Sequence, residues 1–190
     1  MESVPPKWIP ATALLLTAMF ACAGRAAAQE MPTEVRPGAF LAAGATFSDY
    51  QIDYGQNKLA GPSVYVDLHL TTHYGVEGEA RWLVLNQAQN VHATTWLVGP
   101  RATFDPRVLH GVTPYVKLLV GDAHFNFPYN YATGEYFVLA PGAGIDLPIG
   151  HRLTIRLIDV EYQSWPQFTY GELHPYGASI GLSYRILPRY

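Results

Sequence analysis

Residues 176–186 read Tyr-Gly-Ala-Ser-Ile-Gly-Leu-Ser-Tyr-Arg-Ile and alternate without a miss. Tyr176, Ala178, Ile180, Leu182, Tyr184 and Ile186 fall on one face, and Gly177, Ser179, Gly181, Ser183 and Arg185 on the other. A strict period of two specifies a strand with one apolar face and one small or polar face. The run matches the roughly 9–11 residues that a strand needs to cross a bilayer. Few folds use such a strand, and the expectation it sets is a β-barrel in a membrane.

The rest of the chain repeats the pattern. Eight strand candidates follow one another at roughly 38–49, 61–71, 73–85, 92–104, 113–125, 135–147, 152–164 and 175–187. No stretch of ten residues has a helical period. The second strand sets Val64, Val66, Leu68 and Leu70 against Tyr65, Asp67 and His69. The fifth sets Val116, Leu118 and Val120 against Lys117 and Gly121. In the seventh the parity changes near Leu157-Ile158, and one extra residue there, a β-bulge, restores a single outward face. Pro100 and Pro141 lie inside strand candidates, and proline cannot donate to a ladder, so local irregularity is expected at both. The connections after odd-numbered strands are long and those after even-numbered strands shorter. Outer loops and periplasmic turns of a barrel have that rhythm.

The bulk properties agree. Lys7, the apolar stretch Ile9–Cys22 and the small residues Ala26-Ala27-Ala28 read as a secretory leader, with cleavage expected after Ala28. Residues 29–37 read as a short periplasmic lead-in, and 38–190 as the barrel. The only cysteine, Cys22, leaves with the leader, so no disulfide supports the fold. The chain carries 12 basic and 15 acidic side chains, and removing Glu2, Lys7 and Arg25 leaves 10 against 14. That balance excludes a nucleic-acid partner, which needs a basic patch. Beyond the leader no apolar run reaches about 18 residues, so no transmembrane helix is expected. Thirteen tyrosines and four tryptophans suit aromatic girdles at both water–lipid boundaries.

Four segments carry a resemblance to a known group: Pro114-Tyr115-Val116-Lys117-Leu118-Leu119-Val120-Gly121, Ala140-Pro141-Gly142-Ala143-Gly144-Ile145-Asp146, Arg156-Leu157-Ile158-Asp159-Val160-Glu161-Tyr162 and Gly181-Leu182-Ser183-Tyr184-Arg185-Ile186. In these the chain resembles the small OmpA/OmpX-like outer-membrane barrels of the porin-family barrel group. The resemblance implies an all-β, eight-stranded, antiparallel up-and-down transmembrane barrel in the outer membrane of a Gram-negative cell. It also implies outer-membrane lipid and the barrel-assembly machinery as partners. Such barrels usually end on an aromatic within the last strand; here Ile186 holds that place and Tyr190 follows Pro188.

With the apolar face toward lipid, the lumen collects Asp67, Glu77, Glu79, Arg81, Arg101, Lys117, Asp146, Arg156, Asp159, Glu161 and Arg185. An eight-stranded barrel is only wide enough for side chains to fill it. These charges must therefore pair, because an unpaired buried charge is costly. The reading is a plug of salt bridges, with a narrow ion path as the sharper alternative. Phe127, Tyr129, Tyr131, Trp165, Phe168 and Tyr170 are expected on the outer loops as an interaction surface. Neither a cofactor nor a metal is expected, although His92, His124 and His174 would share the outer rim. The expected function is a monomeric barrel with a structural or surface-interaction role and no enzyme activity. Two alternatives stand beside it. A soluble lipocalin-like barrel has the same alternation with its faces reversed, around an apolar ligand. A lipid-modifying enzyme would need a triad such as Ser164, His174 and Glu172.

Overall fold

The computed structural model describes residues 39–52, 58–85, 91–104, 111–127, 129, 133–166 and 172–186. The leader, the lead-in and the outer-loop aromatics Tyr131, Phe168 and Tyr170 lie outside the described residues. Eight strands follow in chain order: β1 (Phe40–Gln51), β2 (Lys58–His69), β3 (Tyr74–Leu83), β4 (His92–Thr103), β5 (Thr113–Asn126), β6 (Thr133–Ile149), β7 (Leu153–Tyr162) and β8 (Tyr176–Arg185). Each pairs antiparallel with its chain neighbours, and β8 pairs with β1 to close the barrel. Closure leaves no edge strand with unpaired backbone groups.

The period of two sorts the side chains. Val64, Val66, Leu68, Trp96, Leu118, Ile180 and Leu182 stand on the exterior, 44–60% exposed. The opposite parity is buried, including ten of the fifteen charges on the strands. A soluble barrel around an apolar ligand needs these faces reversed, so the observed arrangement overturns that alternative.

The seventh strand contains the expected bulge. Its register against β8 shifts between Arg156 and Asp159, and Leu157 and Ile158 both face outward at 43% and 42% exposure. The prolines act as their missing N–H groups require. Around Pro100 the β4–β5 ladder is interrupted between Val98↔Val120 and Arg101↔Lys117 and resumes in the same register. Next to Pro141 the β6–β7 ladder stops at Gly142↔Glu161 and reappears as the isolated bridge Leu139↔Ser164. The connections 70–73, 104–112 and 150–152 share one end of the barrel, called here the turn end. Those at 52–57, 84–91, 127–132 and 163–175 share the other, the loop end.

Candidate functional site: the filled lumen

Three glycines make room for three tyrosine rings. Gly44 lies directly opposite Tyr65, Gly144 opposite Tyr115 and Gly177 opposite Tyr50. A Cβ at each would meet its partner ring or hydroxyl at 2.5, 2.4 and 2.4 Å respectively. Each ring therefore lies over bare backbone, an arrangement that shields glycine in a strand. Its other face receives a guanidinium. Arg156 lies 3.6 Å from the Tyr65 centroid, Arg101 3.8 Å from Tyr115 and Arg81 4.3 Å from Tyr50. Cation–π attraction is strongest where water is excluded, and these three arginines are 1–3% exposed.

The stacked arginines then meet carboxylates across the lumen. Arg101 donates to Asp67 at 2.6 Å, Glu77 at 2.9 Å and Asp146 at 2.5 Å. Arg156 reaches Glu77 at 3.0 Å and Asp159 at 3.3 Å. Arg81 joins Glu79 at 2.5 Å and Glu161 at 2.9 Å. Lys117 Nζ sits among Asp159, Glu77, Glu79 and Glu161 at 2.6, 2.9, 3.1 and 3.3 Å. Glu77, Glu79 and Asp159 are the one group of potential metal ligands close enough to share an ion among the described residues. The lysine ammonium already occupies the position between them.

Six carboxylates thus face four cations. Arg185, expected as a fifth, stands apart at the turn end. It donates to the His151 carbonyl at 3.1 Å and lies over the Phe40 ring at 4.3 Å. It is the last residue of β8. A cavity of about 370 Å³ opens at this end, lined by His69, His73 and Arg185 and backed by Asp67, Arg101 and Asp146.

Toward the loop end the lumen changes character. Leu97, Leu119, Val138 and Phe125 share the inward parity of the charged residues, yet form an apolar cluster with Ile52, Leu59 and Tyr136. Phe127 and Trp165 belong to it. Both were expected on the loop surface, and both are buried, at 9% and 1% exposure. Trp165 packs against Phe125 and stacks on Tyr136, each at 6.0 Å between centroids. Burial of that much aromatic surface outweighs the position of Phe127 and Trp165 between strand candidates. The two halves of the plug are joined by a relay. Trp165 Nε1 donates to Gln163 Oε1 at 3.0 Å, and Gln163 Nε2 donates to Glu161 at 2.8 Å. On β1, where no charge faces inward, Ser48 bonds Ser63 of β2 at 3.0 Å and Ser179 of β8 at 2.8 Å.

Tyr129 is 78% exposed and has a positive φ of 58°. His92, His124 and His174 form no metal-ligating group among the described residues. His174 stacks on Tyr162, with Nε2 3.6 Å from the Glu172 carboxylate, and its Nδ1 has no hydrogen-bond partner among the described residues. The Ser164 backbone bridges to Leu139.

The three stacked tyrosines and the apolar half of the lumen are what sequence reasoning missed. Parity alone marks Leu97 and Leu119 as inward, but the Gly–Tyr pairs need the register between strands.

Neither a protein-family model nor a curated protein sequence matches the chain. Solved structures do. The barrel is similar to Neisserial surface protein A, with TM-score 0.59 and 14% identity over 78% of this chain and 97% of that one. It is similar to the outer membrane protein OprG of Pseudomonas aeruginosa, with TM-score 0.56 and 11% identity over 80% and 97%. It is also similar to outer membrane protein AlkL in lipid bilayers, with TM-score 0.56 and 13% identity over 84% and 97%. At these identities the likeness is one of fold: this chain has the fold of the small eight-stranded outer-membrane barrels.

Proposed function

From that fold we propose that the protein is a monomeric outer-membrane barrel that neither conducts nor catalyses. Its lumen is a structural plug, and its loop end presents a contact surface outside the cell. The observation that carries this reading is the filled lumen. An ionic tier and an apolar tier succeed one another along the axis, linked by the Trp165–Gln163–Glu161 relay. Ions crossing such a barrel would have to displace both. The exterior supports the membrane assignment, because large apolar side chains stand outward on every strand and lipid is the environment that covers them.

Contact work falls to the loop end. Tyr129 is exposed in a left-handed conformation that non-glycine residues adopt at a cost, a feature that clusters at functional positions. The connections 52–57, 84–91, 127–132 and 163–175 are rich in Tyr, Asn and Gln and contain two charges, Asp53 and Glu172. Aromatic and amide side chains on a rigid scaffold suit recognition of a neutral, hydrogen-bonding partner. Neisserial surface protein A is a surface protein by name, in keeping with the same exposure here. In this reading the leader is removed after Ala28, and the assembly machinery inserts the barrel.

Cysteine labelling tests the orientation. Tyr129→Cys should react with a membrane-impermeant maleimide on intact cells, and His151→Cys should react only after the outer membrane is opened. The reverse pattern, or labelling of neither in opened cells, would sink the proposal.

A further inference from the structure

The exterior is not uniform. At the loop end of β7, β8 and β1, beside the middle of β6, lies a groove of about 740 Å³. Its floor is a row of short side chains in direct register: Ala143 opposite Val160, Val160 opposite Ala178, and Ala178 opposite Asp49. The next row toward the loops holds Tyr162, Tyr176, Gln51 and Lys58, each opposite the next. One row the other way, large side chains resume with Ile158, Ile180 and Phe47, 42–60% exposed. The result is a trough with two tyrosines along its upper lip and an aliphatic step below. Pro141 lies at its β6 side, where the β6–β7 ladder is interrupted.

Two charges stand on the β1–β2 side of the trough, Asp49 and Lys58. The outward faces of β7 and β8 carry none from Leu153 to Tyr162 and from Tyr176 to Tyr184. A charge at the lipid boundary is costly unless it reaches a polar partner. Asp49 offers an acceptor and Lys58 a donor, beside an apolar channel one side chain deep. A ligand that fits has a phosphate for the ammonium, hydroxyl or amide N–H groups for the carboxylate, and a hydrocarbon chain for the channel.

We infer that this groove binds one phosphorylated, sugar-headed lipid of the outer leaflet. The phosphate lies on Lys58, sugar hydroxyl or amide donors lie on Asp49, and an acyl chain lies over Ala143 and Ala178 between the tyrosine row and Ile180. The inference rests on the proposed outer-membrane orientation.

The test is native mass spectrometry of the protein purified from membranes in detergent. Added probes are lipid A, its dephosphorylated form and phosphatidylglycerol. Unboiled gel migration of each sample first establishes that the barrel is folded. The wild type should retain lipid A over the dephosphorylated form by about fivefold, near the upper limit for one boundary ion pair. Lys58→Gln should erase that preference, and Ala178→Phe should abolish retention by filling the trough. Ala143→Leu replaces Ala178→Phe if the latter does not migrate as a barrel. Equal retention by wild type, Lys58→Gln and the trough-filling variant overturns the inference. So does phosphatidylglycerol binding as well as lipid A. Failure of the wild type to migrate as a barrel would instead defeat the membrane reading.

Discussion

Glu77 is the residue on which the lumen turns. It is fully buried and accepts from Lys117 at 2.9 Å, Arg101 at 2.9 Å and Arg156 at 3.0 Å. A buried ion pair is weak evidence of net stabilisation, but removing one partner leaves the others uncompensated. Glu77→Gln is therefore expected to cost about 3–5 kcal/mol, read as a lower urea midpoint of the refolded barrel in detergent. Glu135→Gln, at an exposed position, should leave the midpoint in place. At this scale the sequence was half legible. The inward parity of Glu77 follows from period two alone. That Gly44, Gly144 and Gly177 exist to seat Tyr65, Tyr115 and Tyr50 does not, because no strand contains the register of its neighbour. Phe127 and Trp165 misled for a different reason. They fall between strand candidates, while long-range packing with Phe125 and Tyr136 decides their burial.

Among elements, charge is arranged against local pairing. Asp67 lies directly opposite Glu77 on β2 and β3, and Arg101 directly opposite Lys117 on β4 and β5. Like charges in such positions destabilise an isolated strand pair. Relief comes from other strands: Arg101 meets Glu77 from β3 and Asp146 from β6, and Lys117 meets Asp159 from β7. The pattern thus favours the closed barrel over its open hairpins. The exterior obeys a simpler rule. Leu182 on β8 is 52% exposed with Ile180 and Tyr184 on the same face, so Leu182→Arg places a charge in lipid. The expected cost is about 2–4 kcal/mol near the midplane, seen as a reduced folded fraction after refolding into vesicles. Unimpaired insertion would mean that β8 is oriented the other way. The elements themselves were readable in advance, including the bulge at Leu157-Ile158, because a parity break within one strand is local information. The limits of β2 and β6 were less so. β2 begins at Lys58 and β6 runs on to Ile149, extended by pairing with β1 and β7 beyond their own alternation.

For the whole molecule, the account requires two seals in series. Trp165→Ala removes the largest side chain of the apolar tier, and a cost of about 3–5 kcal/mol is expected. The ionic tier remains, so single-channel recordings of this variant in planar bilayers should show no conducting steps. Steady conductance would place the seal in Trp165 alone. The overall architecture was legible because eight alternating runs with a polar parity of this composition leave few other folds open. What was legible but overlooked is that the inward parity turns apolar at Leu97, Leu119 and Val138. The measurement that goes to the centre of the account is gel mobility of the membrane-extracted protein, boiled against unboiled. A closed barrel in the outer-membrane fraction should run as a compact band until heated and then shift. An unshifted band, with the protein recovered from periplasmic extract without detergent, would overturn the membrane barrel and the functional proposals built on it.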